Sequence, residues 1–202
     1  MAYLKRKEKV ELNEQSIIDI VHRWQSHVCT SYDILVPNCY TSHDNEADLL
    51  ALRRSRLCDE FEVKISRSDF MNDRKKIVNV RESVFDPRNG IMEASAWENA
   101  CEGIPKSKLK NIPAPWQKLK YDALRDGDMV TNYFWYVTPK DLISVEDLPE
   151  FAGLIHINDF GELRIVRKPK KLHSDKVDDA TAYKLIRKLA FRFWDYRRGI
   201  RT

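Results

Sequence analysis

Glycine is scarce, at 6 of 202 residues. The chain has no G-x-G-x-x-G, no Walker-type phosphate loop and no G-x-S-x-G elbow. Each of those devices needs glycine where the backbone turns sharply or meets a phosphate, so Rossmann oxidoreductases, P-loop enzymes and α/β-hydrolases drop out. The 4 cysteines, Cys29, Cys39, Cys58 and Cys101, are scattered without a C-x-x-C pair. That excludes a zinc ribbon, argues against a disulfide framework and makes a reducing, cytoplasmic setting the expectation. The 5 histidines form no H-E-x-x-H. No apolar run approaches the ~18 residues of a membrane-spanning helix. The opening MAYLKRKEKVELNEQ is charged throughout and lacks the apolar centre of a secretory signal. Charge is nearly balanced at +4, which permits a polyanionic partner without demanding one.

What is present is a core-forming chain, with 43% hydrophobic residues. Its length suits one domain, or one domain with an insertion and a tail. After a charged leader over residues 1–12, Asn13 can cap a helix over Glu14–His27, whose apolar face is Ile17, Ile18, Ile20, Val21 and Trp24. Tyr32–Tyr40 reads as a strand, with Pro37 at an edge or bulge. Residues 47–53 and 57–65 read as strands joined by an Arg-Ser-Arg turn. In the second, Leu57, Phe61, Val63 and Ile65 share one face, and Cys58, Glu60, Glu62 and Lys64 share the other. A helix is expected over Asp69–Val80 with Ser68 as cap. Residues 82–115 lose periodicity, hold four prolines and two glycines, and read as an insertion. A short helix over Trp116–Leu124 and a strand over VTNYFWYV follow. The segments GLIHI and ELRIVRK form a hairpin about Asn-Asp-Phe-Gly, and a basic helix over Asp178–Arg198 closes the chain. The expected class is α/β, or α+β with a mixed sheet. It comprises one domain over residues 1–174 and a C-terminal helix over 175–202.

The sharpest chemical signal is Asp48 followed by Glu62-Val63-Lys64. Glu62 and Lys64 point the same way on one strand, and a hairpin through the Arg-Ser-Arg turn sets Asp48 beside Glu62. Two carboxylates at a sheet end offer the hard oxygen ligands that Mg²⁺ or Mn²⁺ prefers. Such an ion neutralises a phosphodiester and acidifies a bound water. A lysine alongside stabilises developing negative charge, or simply neutralises the carboxylates. An E-x-K on a strand is also a common solvated face.

These pieces, with Glu46-Ala47-Asp48 in place of a Pro-Asp, resemble the PD-(D/E)XK nuclease superfamily over roughly residues 14–172. The run EFEVKISRSDFMNDRKK, and later NYFWYVTP and PEFAGLI, are similar to small nuclease-like proteins, many of them phage-encoded. The resemblance implies a restriction-endonuclease-like core of helix, three strands, helix and strand. It implies metal-dependent hydrolysis of phosphodiester bonds, in DNA before RNA. Asp48 and Glu62 would bind Mg²⁺ or Mn²⁺, Lys64 would serve the water or the transition state, and Glu14 would be the further acid on the first helix. Glu14 equally suits the positive end of its helix dipole. Ala47 departs from the family's proline, and the insertion separates the motif helix from its continuation at Lys120-Tyr121. The resemblance admits a homodimer.

Candidate phosphate-binding cations are Arg67, and then Lys75 and Lys76, which suit a solvated helix face equally well. Lys118 and Lys120 sit in a loop-rich basic stretch. From Lys184 to Thr202, seven basic residues stand against one aspartate, so that segment is +6 and the rest of the chain −2. There Arg187, Lys188 and Arg192 would track phosphates, and Phe191, Phe193, Trp194 and Tyr196 read as core or partner contacts. The alternative function is a non-catalytic protein on the same fold that binds nucleic acid or a host partner.

Overall fold

The computed structural model describes residues 8–40, 45–79 and 117–200. The expected insertion at 82–115, which holds Cys101, and the adjoining Trp116 lie outside the described residues.

Helix α1 (Glu14–Arg23) begins where Asn13 accepts from the Ser16 amide, and Ser16 returns the bond to the Asn13 amide. This closed box satisfies two amides that a helix start otherwise leaves unpaired. The helix is shorter than expected. Trp24, at φ −100°, leaves helical geometry, and α2 (Gln25–Val28) is a separate turn without a buried residue. Three strands follow in an antiparallel meander: β1 (Tyr32–Tyr40), β2 (Glu46–Arg53) and β3 (Cys58–Val63). The Arg-Ser-Arg turn forms as expected, with Arg56 at φ 66°.

Ser66 caps α3 (Arg67–Asp73), where Ser68 was the expected cap. The helix ends seven residues before the expected stop at Val80, because β4 (Ile77–Asn79) pairs with β5 (Gln117–Leu119). The same pairing turns the start of the expected 116–124 helix into strand, and the helix itself, α4, spans Lys120–Asp126. Here nonlocal pairing overrides local propensity: Val78 gains a place in the core beside Phe70, Ala123 and Leu124. Gly127, at φ 79°, ends α4 in the left-handed cap that favours glycine.

Strand β6 (Tyr133–Pro139) lies parallel to β3, and β7 (Gly153–Ile157) lies parallel to β6. Strand β8 (Leu163–Arg167) returns antiparallel through the expected hairpin. The resulting six-stranded mixed sheet has the order β1-β2-β3-β6-β7-β8, within an α/β class of fold. Pro37 sits on the edge strand, where its missing N–H does least harm.

Helix α1 covers one face of the sheet, packing Ile17, Ile20 and Val21 on Leu49, Phe61, Val63, Trp135 and Val137. On the other face, Phe70 of α3 and Leu124 of α4 meet Phe134, Tyr136 and Leu154. The C-terminal helix α5 (Asp179–Arg197) covers the same face over β1 and β2, with Leu185 and Val177 against Val36, Leu50, Leu52 and Cys58. Central β3 is therefore buried along its whole length, polar residues included. On α5, Phe191, Phe193, Trp194 and Tyr196, expected as core or partner contacts, are exposed and so lie outside the core, and Tyr183 and Ile186 are exposed as well. Among the described residues, no helix is long and apolar enough to cross a membrane.

Candidate functional site

The β2–β3 register pairs Leu49 with Phe61, and its next step sets Asp48 beside Glu62. Asp48 Oδ2 accepts the Val63 amide at 2.6 Å, which pins the carboxyl at the sheet end. Burial, then the negative charge of Glu62, push its pKa up to about 7, and Glu14 adds to the shift from the start of α1. The first-helix acid thus acts on Asp48 electrostatically, while its own side chain stays exposed.

Glu62 is 3% exposed and each of its oxygens meets an ammonium. Lys64 Nζ lies 2.8 Å from Oε1, and Lys120 Nζ lies 2.7 Å from Oε2. Lys76 Nζ approaches Oε1 at 3.7 Å and donates to the Glu46 carbonyl at 3.4 Å. Burial alone would raise the Glu62 pKa, but Lys120, Lys64 and Lys76 outweigh it and hold the group below the usual carboxylate range. Lys64 behaves in mirror image: burial lowers its pKa, while Glu62 and Asp73 raise it above the ordinary lysine value. Lys64 is accordingly an ammonium at neutral pH. It can stabilise negative charge but has no lone pair with which to act as a base.

Behind these residues lies a layer that sequence reasoning missed. Lys120, expected to line a nucleic-acid groove, is instead fully buried, with Glu60 Oε1 at 2.9 Å and Glu62 Oε2 at 2.7 Å. Glu60 accepts further from Asn45 at 3.0 Å and from the Thr131 hydroxyl. Asp73 faces Lys64 at 3.6 Å and accepts from the Tyr136 hydroxyl, which meets the Tyr121 hydroxyl at 2.6 Å. The sequence signal for Glu60 was present in the E-F-E alternation. Lys120 had no such signal, because β4–β5 pairing across the insertion delivers it.

The remaining expected cations do not gather at the acidic site. Arg67 is clamped to Asp147 at 2.7 Å. Lys118 pairs with Asp128 at 2.6 Å and Asp126 at 3.2 Å. Lys188 donates to the Tyr40 carbonyl, and Arg192 donates to the carbonyls of Pro37 and Asn38. Those two cations fasten α5 to the edge strand, so their expected phosphate contacts are taken up by backbone. Arg187 is exposed, its guanidinium 5.8 Å from the Phe191 ring centre, and Lys75 is exposed.

The donor set fits a hard divalent cation. Mg²⁺ is ordinarily held by one or two carboxylates and retains several waters for substrate oxygens. Asp48 and Glu62 would supply the two carboxylates, although both Glu62 oxygens are engaged by lysines. Burial, and then the Glu62 carboxylate, raise the Asp48 carboxyl, so an added cation there would favour its ionised form. Among the described residues, no group of three or more His, Cys, Asp or Glu side chains is arranged to hold a metal by itself, so substrate and water oxygens would complete the shell.

No family model matches the chain, and no curated protein matches it. A solved structure, that of the SPO1766 protein of unknown function from Silicibacter pomeroyi, is similar at a TM-score of 0.51 and 17% identity, over 93% of this chain and 94% of that one. At that identity the likeness is one of fold: this chain shares a mixed α/β architecture with a protein whose function is not known.

Proposed function

We propose that this protein is a metal-dependent nuclease of the PD-(D/E)XK type, hydrolysing phosphodiester bonds in nucleic acid, DNA before RNA, in the cytoplasm. One observation carries the reading. Asp48, Glu62 and Lys64 come from neighbouring strands to one sheet end, where the Asp48 carboxyl is raised to about 7. The element order of helix, antiparallel meander, helix and parallel strand supports it, since that is the order the motif resemblance implies.

Asp48 and Glu62 would hold Mg²⁺ or Mn²⁺, which supplies charge neutralisation at the phosphodiester and an acidified water. The Val63 amide fixes the Asp48 carboxyl through Oδ2. Lys120, enclosed between Glu60 and Glu62, fixes the Glu62 carboxylate in place. Lys64 presents an ammonium beside Glu62 and would stabilise the charge that builds on the phosphate oxygens.

A second reading, a non-catalytic nucleic-acid-binding or partner-binding protein on the same fold, draws on one fact. Both Glu62 oxygens are already matched by lysines. The deciding experiment is a cleavage assay on supercoiled, linear, single-stranded and branched DNA and on RNA. Each substrate is incubated with Mg²⁺, Mn²⁺ or EDTA, beside Glu62→Gln and Lys64→Ala. Metal-dependent cleavage lost in both variants is the expected result. Nucleic-acid binding without cleavage of any substrate would sink the nuclease reading and leave the second.

A further inference from the structure

Helix α5 carries two apolar stripes, and the fold uses one. The inner stripe, Ala182, Leu185 and Leu189, packs on the sheet, while Lys188 and Arg192 tie the helix to β1 carbonyls. The helix is thereby held firmly, with its outer side presented to solvent. That side carries Tyr183, Ile186 and Phe193 at 64%, 51% and 55% exposure, with Ala190 exposed between them. Asp179 lies one helical step before this stripe and Arg197 one step after it, both exposed.

These six residues are spaced four, three, four, three and four apart, the spacing of a seam between paired helices. They are also arranged symmetrically about position 188. Asp179 mirrors Arg197, Tyr183 mirrors Phe193, and Ile186 mirrors Ala190. In an antiparallel pair of identical helices, each position meets its mirror. The opposite charges then meet at both ends, the rings face each other, and the large Ile186 opposes the small Ala190. A parallel pair would set Asp179 against Asp179 and Arg197 against Arg197, and would leave a gap between two alanines. A helix of 19 residues gives the seam a length of about 28 Å at ~1.5 Å per residue. Asp179 already pairs with Arg56 in its own chain, but its side chain is 84% exposed and a carboxylate accepts from several donors.

We propose that the outer stripe of α5 docks on the same stripe of a second copy of this chain, antiparallel, in a two-fold homodimer. A two-fold interface uses one self-complementary patch twice, and the mirror order of the stripe has that property. The inference does not depend on the nuclease reading.

Sedimentation velocity over a concentration series tests it, on the full chain without nucleic acid or divalent cation. The expected species is a dimer. Ile186→Glu with Phe193→Glu, both at exposed positions, should give a monomer with an unchanged far-UV circular dichroism spectrum. Asp179→Arg alone and Arg197→Asp alone should each weaken the dimer several-fold, and the two together should restore it. A wild-type monomer at every concentration overturns the proposal, as does a dimer that survives the double glutamate change. Failure of the charge swap to restore association overturns the antiparallel register. A monomer whose double glutamate variant loses affinity for an oligonucleotide assigns the stripe to nucleic acid instead.

Discussion

Strand β3 buries carboxylates at both ends and balances them differently. At Asp59 the charges close. Arg53 donates through Nε at 2.7 Å and Nη2 at 2.8 Å, Trp135 Nε1 donates at 3.1 Å, and the Tyr32 hydroxyl adds a further bond. One guanidinium meets one carboxylate, and neutral donors fill the remaining lone pairs. At the other end, Asp48, Glu60, Glu62 and Asp73 stand against Lys64, Lys76 and Lys120, so negative charge is in excess. Burial, together with the Glu62 carboxylate, raises the Asp48 pKa to about 7. Depth of burial therefore does not separate a structural ion pair from a candidate site. Completeness of pairing does, because an unbalanced buried cluster gains most from an added cation.

The largest expected effects come from breaking either end. Lys120→Met leaves Glu60 and Glu62 facing each other without their shared ammonium, and should cost about 3–5 kcal/mol of stability in urea denaturation. Arg53→Met should cost about as much by stranding Asp59. Lys118→Ala, whose two ion pairs are exposed to solvent, should leave the midpoint where it is. If Lys118→Ala proves as damaging as Lys120→Met, the buried layer is not what steadies the sheet end.

The next effect separates the ends by function. Lys64→Ala should slow metal-dependent cleavage about 10²–10³-fold, as loss of a charge-stabilising donor does elsewhere. Asp59→Asn should lower stability while leaving the rate per folded molecule unchanged. Equal loss of rate in both variants, each shown to be folded, would erase the distinction between the two ends.

A smaller effect follows from the raised Asp48 pKa. The ordinary value is 3.8 and the folded value about 7, so the unfolded chain releases this proton first. The Asp48 contribution to stability is therefore present at low pH and is lost as pH rises through 7. A divalent cation needs the ionised carboxylate and competes with the proton. Its affinity should climb about tenfold per pH unit below 7 and level off above. Thermal stabilisation by Mn²⁺ at pH 6 and pH 8 reads this directly, and Asp48→Asn should flatten the difference. Smallest of all, Lys75→Ala should weaken nucleic-acid binding slightly and reduce its salt slope by about one. An unchanged slope would leave Lys75 as a solvated side chain.

Much of this was legible along the chain because the signals are local. The alternation of Phe61 and Val63 against Glu60 and Glu62 gave β3 two distinct faces, and the turn at residues 54–56 set the hairpin register. Together they put Asp48 beside Glu62 without any long-range knowledge. Errors arose where a distant segment supplied the partner. Ile77–Asn79 carries no strand signal strong enough to outweigh the preceding helix, and its strand exists because Gln117–Leu119 lies alongside. Lys188 and Arg192 look like free cations in sequence, yet the carbonyls of residues 37, 38 and 40 capture them.

Residue chemistry and short-range periodicity decided the meander, the carboxylate pair, its lysine and the charge of the last helix, since each depends on neighbours within a hairpin or a few turns. The assembled fold alone decided that Lys120 is a buried counter-ion and that α5 turns Lys188 and Arg192 toward the edge strand while Tyr183, Ile186 and Phe193 face outward. Those outcomes depend on which surfaces meet. Contact between segments far apart in the chain is governed by the total burial and charge pairing of the whole molecule, and no single segment encodes it.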